Sequence, residues 1–275
     1  MMVTLLMACS DDPGISSTPQ IEFKSISFAQ GTTSDTIRVT ISFIDGNMDL
    51  GLSENDTDNP FHENFYLIAT GQGELSEVPT FKKYKDLPPF IQMEDKLNGK
   101  LTSIRSRKNP EYATLPPYSC KYYSKKDVYI SEEDGAIIDN SYYIIDTLKA
   151  ANTPDAYVLR DSIYFKPNPN HYNFDVKFKV KNADGTFSDF DWMEAICTTF
   201  NARFPLLTNA KPGDVVKGGN FIINMATTTD GTLTYTMSSQ HFRTFLAGEV
   251  IKIEIKIRDR TINQSNTVQS TEIQL

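Results

Sequence analysis

Three segments of the chain alternate strictly between apolar and polar side chains, and that periodicity decides what it can fold into. They are Ile37-Arg38-Val39-Thr40-Ile41-Ser42-Phe43, Phe174-Asp175-Val176-Lys177-Phe178-Lys179-Val180 and Ile251-Lys252-Ile253-Glu254-Ile255-Lys256-Ile257-Arg258. Successive side chains of a strand point to opposite faces, so each segment predicts a strand with one buried and one solvated face. Ile21, Phe23, Ile26 and Phe28 alternate with a slip in phase, which predicts a bulge. Phe221 to Met225 and Leu233 to Met237 flank Thr227-Thr228-Thr229-Asp230-Gly231. This pattern predicts a hairpin with Gly231 in a left-handed conformation, and Asp184-Gly185 separates two segments in the same way. Helix signals cover Trp192–Thr199 and His241–Ala247, both too short to anchor a fold. The expected class is all-β, with two packed sandwich-like units at residues 20–165 and 170–275. The alternative is one extended sandwich with the middle third as a large insertion.

That middle third has a different texture. Prolines punctuate it, and Tyr112, Tyr118, Tyr122, Tyr123, Tyr129, Tyr142 and Tyr143 crowd it. Short strands are expected at 127–131, 141–147 and 161–165. The tyrosines either pack over the sheet or form a contact surface for a glycan or a protein. Lys166-Pro167-Asn168-Pro169-Asn170 reads as a stiff connector at a domain boundary, because each proline fixes φ and restricts its predecessor.

Charge and cysteine usage narrow the function classes. With 35 Asp and Glu against 27 Lys and Arg, the net charge of −8 argues against nucleic acid as a partner. No apolar run approaches the length of a membrane-spanning helix. Leu5-Leu6-Met7-Ala8-Cys9 resembles the lipobox of bacterial lipoproteins. The resemblance implies cleavage before Cys9, a diacylglyceryl thioether on its sulfur, and a membrane as partner through the lipid. Met1 to Ala8 lacks a basic n-region, which leads us to expect an upstream start or a trimmed chain. Ser10-Asp11-Asp12 resembles the acidic export signal of outer-membrane lipoproteins of Bacteroidetes, and residues 10–20 form a polar tether. Cys120 and Cys197 then remain as an even pair, either a disulfide of an oxidising compartment or two buried thiols.

Two further stretches carry a family resemblance. Asp259-Arg260-Thr261-Ile262-Asn263-Gln264-Ser265 between two strand signals resembles the end of bacterial immunoglobulin-like domains. Phe43-Ile44-Asp45-Gly46-Asn47-Met48-Asp49-Leu50-Gly51-Leu52, followed by Pro60-Phe61, resembles the aspartate-glycine segment of surface lipoproteins of Bacteroidetes. That family implies an immunoglobulin-like β-sandwich at the cell surface and no particular activity.

The aspartate-glycine segment is also a candidate cation site. Asp45, Asn47 and Asp49 stand at alternate positions after a strand, and Asp56 follows within reach. Ca²⁺ takes six to eight oxygens, and such a loop supplies several of them. The favoured reading of the same residues is an Asx-turn bonded to its own backbone, with Ca²⁺ the one cofactor they would suit in the alternative.

Catalytic motifs are missing from the sequence. There is no G-x-S-x-G, H-E-x-x-H or P-loop. Asp189, Asp191 and Glu194 beside Trp192 could make a sugar site with paired acids, or the acids could face solvent while Trp192 anchors a core. His62 and His171 read as loop residues, with His62 offering a metal ligand in the less favoured case. The expectation is a non-catalytic binding or scaffolding module, with glycan capture as the alternative and a carboxylate hydrolase behind it.

Overall fold

The computed structural model describes residues 15–71, 74–77, 100–101, 104, 113–131, 145–146 and 156–275. Cys9 and the first part of the tether lie outside the described residues, as do Tyr112, Tyr142 and Tyr143. In chain order the strands are β1 (Gln20–Ala29), β2 (Asp35–Ile44), β3 (Asn64–Gly71), β4 (Glu74–Glu77), β5 (Lys100–Leu101), β6 (Tyr123–Ser131), β7 (Ile145–Asp146) and β8 (Ala156–Pro167). They continue as β9 (Phe174–Lys181), β10 (Phe187–Phe190), β11 (Val215–Gly218), β12 (Phe221–Met225), β13 (Asp230–Ser239), β14 (Val250–Ile257), β15 (Val268–Gln269) and β16 (Ile273–Gln274). Two short helices, α1 (Trp192–Ile196) and α2 (His241–Leu246), stand where helix signals were read. The fold is all-β.

The chain forms two compact units, and they interleave along the sequence. Unit 1 takes the described residues of Met1–Glu54, Tyr172–Phe190 and Phe200–Leu275; unit 2 takes those of Asn55–His171 and Asp191–Thr199. This differs from the division into 20–165 and 170–275. For the N-terminal strands the reason is a long-range ladder: β2 pairs antiparallel with β13 from Asp35↔Ser239 to Ile44↔Asp230. Turn signals report neighbours in sequence, so they cannot reveal such a pairing.

Unit 1 is a sandwich of two antiparallel sheets. One has the order β1-β2-β13-β12-β11; the other has β10-β9-β14-β15, with β16 also on β14. Alternation becomes burial directly: Ile37, Val39, Ile41 and Phe43 of β2 are at most 1% exposed, as are Ile251, Ile253, Ile255 and Ile257 of β14. Burying each such side chain contributes about 1.5–3 kcal/mol. Aromatic rings join the inner faces, with Phe174 of β9 at 5.1 Å from Tyr235 of β13 and 5.3 Å from Phe221 of β12. The bulge falls between Phe23 and Ser25, where the β1–β2 register shifts.

The two glycine turns part company. Gly185 has φ +85, as the turn requires. Gly231 lies inside β13, opposite Phe43 and Met225, and has no positive φ. It is needed for another reason: a Cβ there would sit 2.5 Å from the Asn224 carbonyl oxygen and 3.0 Å from the Phe43 ring. The hairpin closes earlier, through the Ala226 and Thr227 N–H groups donating to the Asp230 carbonyl.

Unit 2 holds a sheet of order β4-β3-β8-β6, with β5 on β3 and β7 on β8. The proline connector is a folded knot. Asn168 is 2% exposed, donates to the carbonyls of Pro60 (2.8 Å) and His62 (2.7 Å), and accepts from the Asn170 N–H at 2.9 Å. His62 is buried rather than an exposed loop residue, and its ring meets Phe65 edge-on at 4.5 Å. Tyr123 packs, 2% exposed, with its hydroxyl donating to the Pro116 carbonyl at 2.8 Å, while Tyr118 is 54% exposed.

Candidate metal centre

β2 ends at Ile44, and the next residue turns inward. The Asp45 N–H donates to the Thr229 carbonyl at 2.9 Å, which holds the start of the loop against the β12–β13 turn. Gly46 follows because the chain passes close: a Cβ there would lie 2.7 Å from the Ile15 carbonyl oxygen. Gly51 closes the loop with φ +90, and a Cβ there would overlap the Pro205 carbonyl oxygen. Between them Leu50 is fully buried and pairs with Asp259 in an isolated antiparallel bridge.

That bridge brings in the residue after β14. The Arg260 N–H donates to the Asp49 carbonyl at 3.1 Å. Asp259 is clamped by Asn263, whose backbone N–H donates to its Oδ1 at 2.7 Å and whose Nδ2 donates to its Oδ2 at 2.8 Å. The Thr261 hydroxyl spans the two loops, 3.1 Å from Asp49 Oδ2 and 3.1 Å from Asp259 Oδ1.

The result is a cluster of three carboxylates. Asp45, Asp49 and Asp259 each place one oxygen within 4.8 Å of the others. Asp45 is 0% exposed and Asp259 1%, and Asp49 is half-buried. Asp45 Oδ2 accepts the Asp49 N–H at 3.2 Å, whereas Asp45 Oδ1 and Asp49 Oδ1 are buried without a hydrogen-bond partner. Burial, then the charges of Asp49 and Asp259, push the Asp45 carboxyl up to about 7. Burial and Asp259 also raise Asp49. Among the described residues no Lys or Arg forms an ion pair with any of the three.

Of the four residues read from sequence, the structure brings two together. Asp45 and Asp49 meet. Asn47 is exposed and lines a shallow polar depression with Met48, Asn209 and Thr228. Asp56 falls in unit 2. Asp259 takes the third place, and sequence reasoning assigned it only to a strand-ending pattern. The spacing Asp259-x-x-x-Asn263 was the available signal, since it describes a carboxylate held by its own loop.

The other candidates separate cleanly. Cys120 and Cys197 form a disulfide, Cα–Cα 5.5 Å, which ties α1 to the segment before β6. Asp191 caps α1, accepting from the N–H groups of Met193 and Glu194 at 2.9 and 3.1 Å. Lys121 pairs with it at 2.5 Å and holds its carboxyl below the usual carboxylate range. Trp192 is 5% exposed, so its ring offers no sugar platform. Asp189 belongs to unit 1 and pairs with Lys179 at 2.6 Å. No family model, no curated protein and no solved structure matches this chain.

Proposed function

We propose that the chain is a lipid-anchored, non-catalytic binding or scaffolding protein of the cell envelope, held at the outer membrane and facing outward. Its cysteine accounting carries the reading. Two of the three cysteines are joined in one bridge, as suits an oxidising compartment, and the third stands behind Leu5-Leu6-Met7-Ala8. An acyl chain contributes about 0.8 kcal/mol per buried CH₂, so several chains on Cys9 would retain the protein at a membrane. A polar tether after Cys9 suits the presentation of sandwich units at a distance from the bilayer. The paired roles of Asp189 and Asp191 and the burial of Trp192 favour binding over sugar hydrolysis. For unit 1 an immunoglobulin-like module is the finer reading, supported by two packed antiparallel sheets joined through an aromatic core.

The test is mass spectrometry of the mature protein with fractionation of Cys9→Ala. We expect an acylated N-terminal Cys9 in membranes and release of the variant into the soluble fraction. An unmodified, uncleaved N-terminus would contradict the reading.

A further inference from the structure

We propose that Asp45, Asp49 and Asp259 bind one hard divalent cation, with Ca²⁺ as the ion to test, and that the cation staples the two sheets of unit 1 together at one end.

The site departs from an ordinary acidic patch in its burial. Asp45 and Asp259 are 0% and 1% exposed, and two carboxylate oxygens, Asp45 Oδ1 and Asp49 Oδ1, are buried with no donor facing them. A buried polar atom without a partner is costly, and more so when it carries charge. Elsewhere in unit 1 two aspartates are given cations. Asp35, 1% exposed, is paired with Arg243, and Asp175 is paired with Arg258 at 3.2 Å. At the three-aspartate cluster no such partner comes from the described residues. An external cation supplies both the missing charge and the missing partner for the orphaned oxygens.

The donor chemistry selects the ion class. All three groups are carboxylates, with no histidine or cysteine among them, which suits hard cations over zinc or copper. Three carboxylate oxygens within 4.8 Å of one another can face one such ion. Asn263 and Thr261 bind Asp259 and Asp49 from outside, holding two ligands in place as outer-shell groups do at metal sites.

The placement gives the ion a task. Asp45 and Asp49 follow β2, in one sheet; Asp259 follows β14, in the other. An ion shared by the two loops crosslinks strand ends from opposite layers of the sandwich, and it stabilises by mass action once its concentration exceeds its Kd. This inference stands apart from the lipid anchor and can fail without it.

The experiment is calorimetric titration of CaCl₂ into the full chain after chelator treatment and dialysis, paired with thermal melts. We expect one site per chain, with Kd on the order of 10⁻⁴–10⁻³ M, the range of extracellular calcium modules. We expect a higher Tm at about 10 mM Ca²⁺, a concentration well above that constant. Asp45→Asn and the half-buried Asp49→Asn should each weaken binding at least about tenfold, since affinity follows the number of ligand charges. Asp56→Asn should titrate as the parent does. Should Asp45→Asn fail to fold, Asp49→Asn reads the same site. No heat and no Tm shift in the parent chain would overturn the proposal. So would binding that survives unchanged in folded Asp45→Asn and Asp49→Asn.

Discussion

Strand β2 begins and is followed by a buried aspartate, and its two ends handle the charge differently. At the start, Asp35 is 1% exposed, pairs with Arg243, and accepts the Gly31 N–H at 3.2 Å. Just past the end, Asp45 is 0% exposed and faces Asp49 and Asp259 with one oxygen unpartnered. One carboxylate is neutralised by the chain itself; the other is surrounded by its own sign. Burying a charge is tolerable when a counter-charge comes with it, and the proposed cation site rests on that difference between the two ends.

Substitutions can break that contrast or sharpen it. The largest effect belongs to Arg258, which is 4% exposed, donates to the Tyr172 carbonyl at 2.7 Å and pairs with Asp175. Arg258→Met should cost about 3 kcal/mol, the low end for breaking a buried pair, because the Asp175 side chain is 30% exposed. A lower urea midpoint at unchanged slope would register it. Arg243→Met should cost about 2 kcal/mol by stranding Asp35, discounted because the arginine itself is half exposed. That loss should be the same with and without Ca²⁺.

A neutral group satisfied in the core gives a smaller effect. The Tyr235 hydroxyl donates to the Phe200 carbonyl at 3.1 Å, and Tyr235→Phe should cost about 1 kcal/mol at neutral pH. Burial pushes the Tyr235 hydroxyl up to about 12, against about 10 for an unfolded tyrosine. Its contribution is therefore whole below about pH 10 and is lost as pH rises toward about 12. Alkaline melts should show the parent losing stability more steeply than Tyr235→Phe across that window. The smallest effect should be that of Asp45→Asn in chelator, where removing a crowded charge leaves Tm unchanged or slightly higher. A large loss there would mean that the carboxylate is satisfied within the chain, and the contrast between the two ends of β2 would collapse.

Much of unit 1 was legible because its strands are half-buried. The alternations at 37–43, 174–180 and 251–258 became β2, β9 and β14, and the phase slip after Phe23 became a register shift. Gly185 was readable because a two-strand turn is a local event. Gly231 was misread because its constraint is not local: it is the closeness of Asn224 and Phe43. The interleaving of the units was hidden for the same reason, since it shows in long-range contacts such as the β2–β13 ladder. At the cluster, Asp45 and Asp49 share one short loop and were visible as a pair. Asp259 lies more than 200 residues further on and joins them through the bridge at Leu50 and the contacts of Arg260 and Thr261 with Asp49. Local spacing proposed Asn47 and Asp56 in its place, because a sequence shows which oxygens are near along the chain and not which strand ends meet.

The most direct measurement is a crystal structure of the chain grown with CaCl₂, with anomalous difference density collected at long wavelength. A peak among Asp45, Asp49 and Asp259, with ligand distances of about 2.3–2.6 Å, is the predicted result. Carboxylates sharing a proton around an empty or water-filled centre would contradict it.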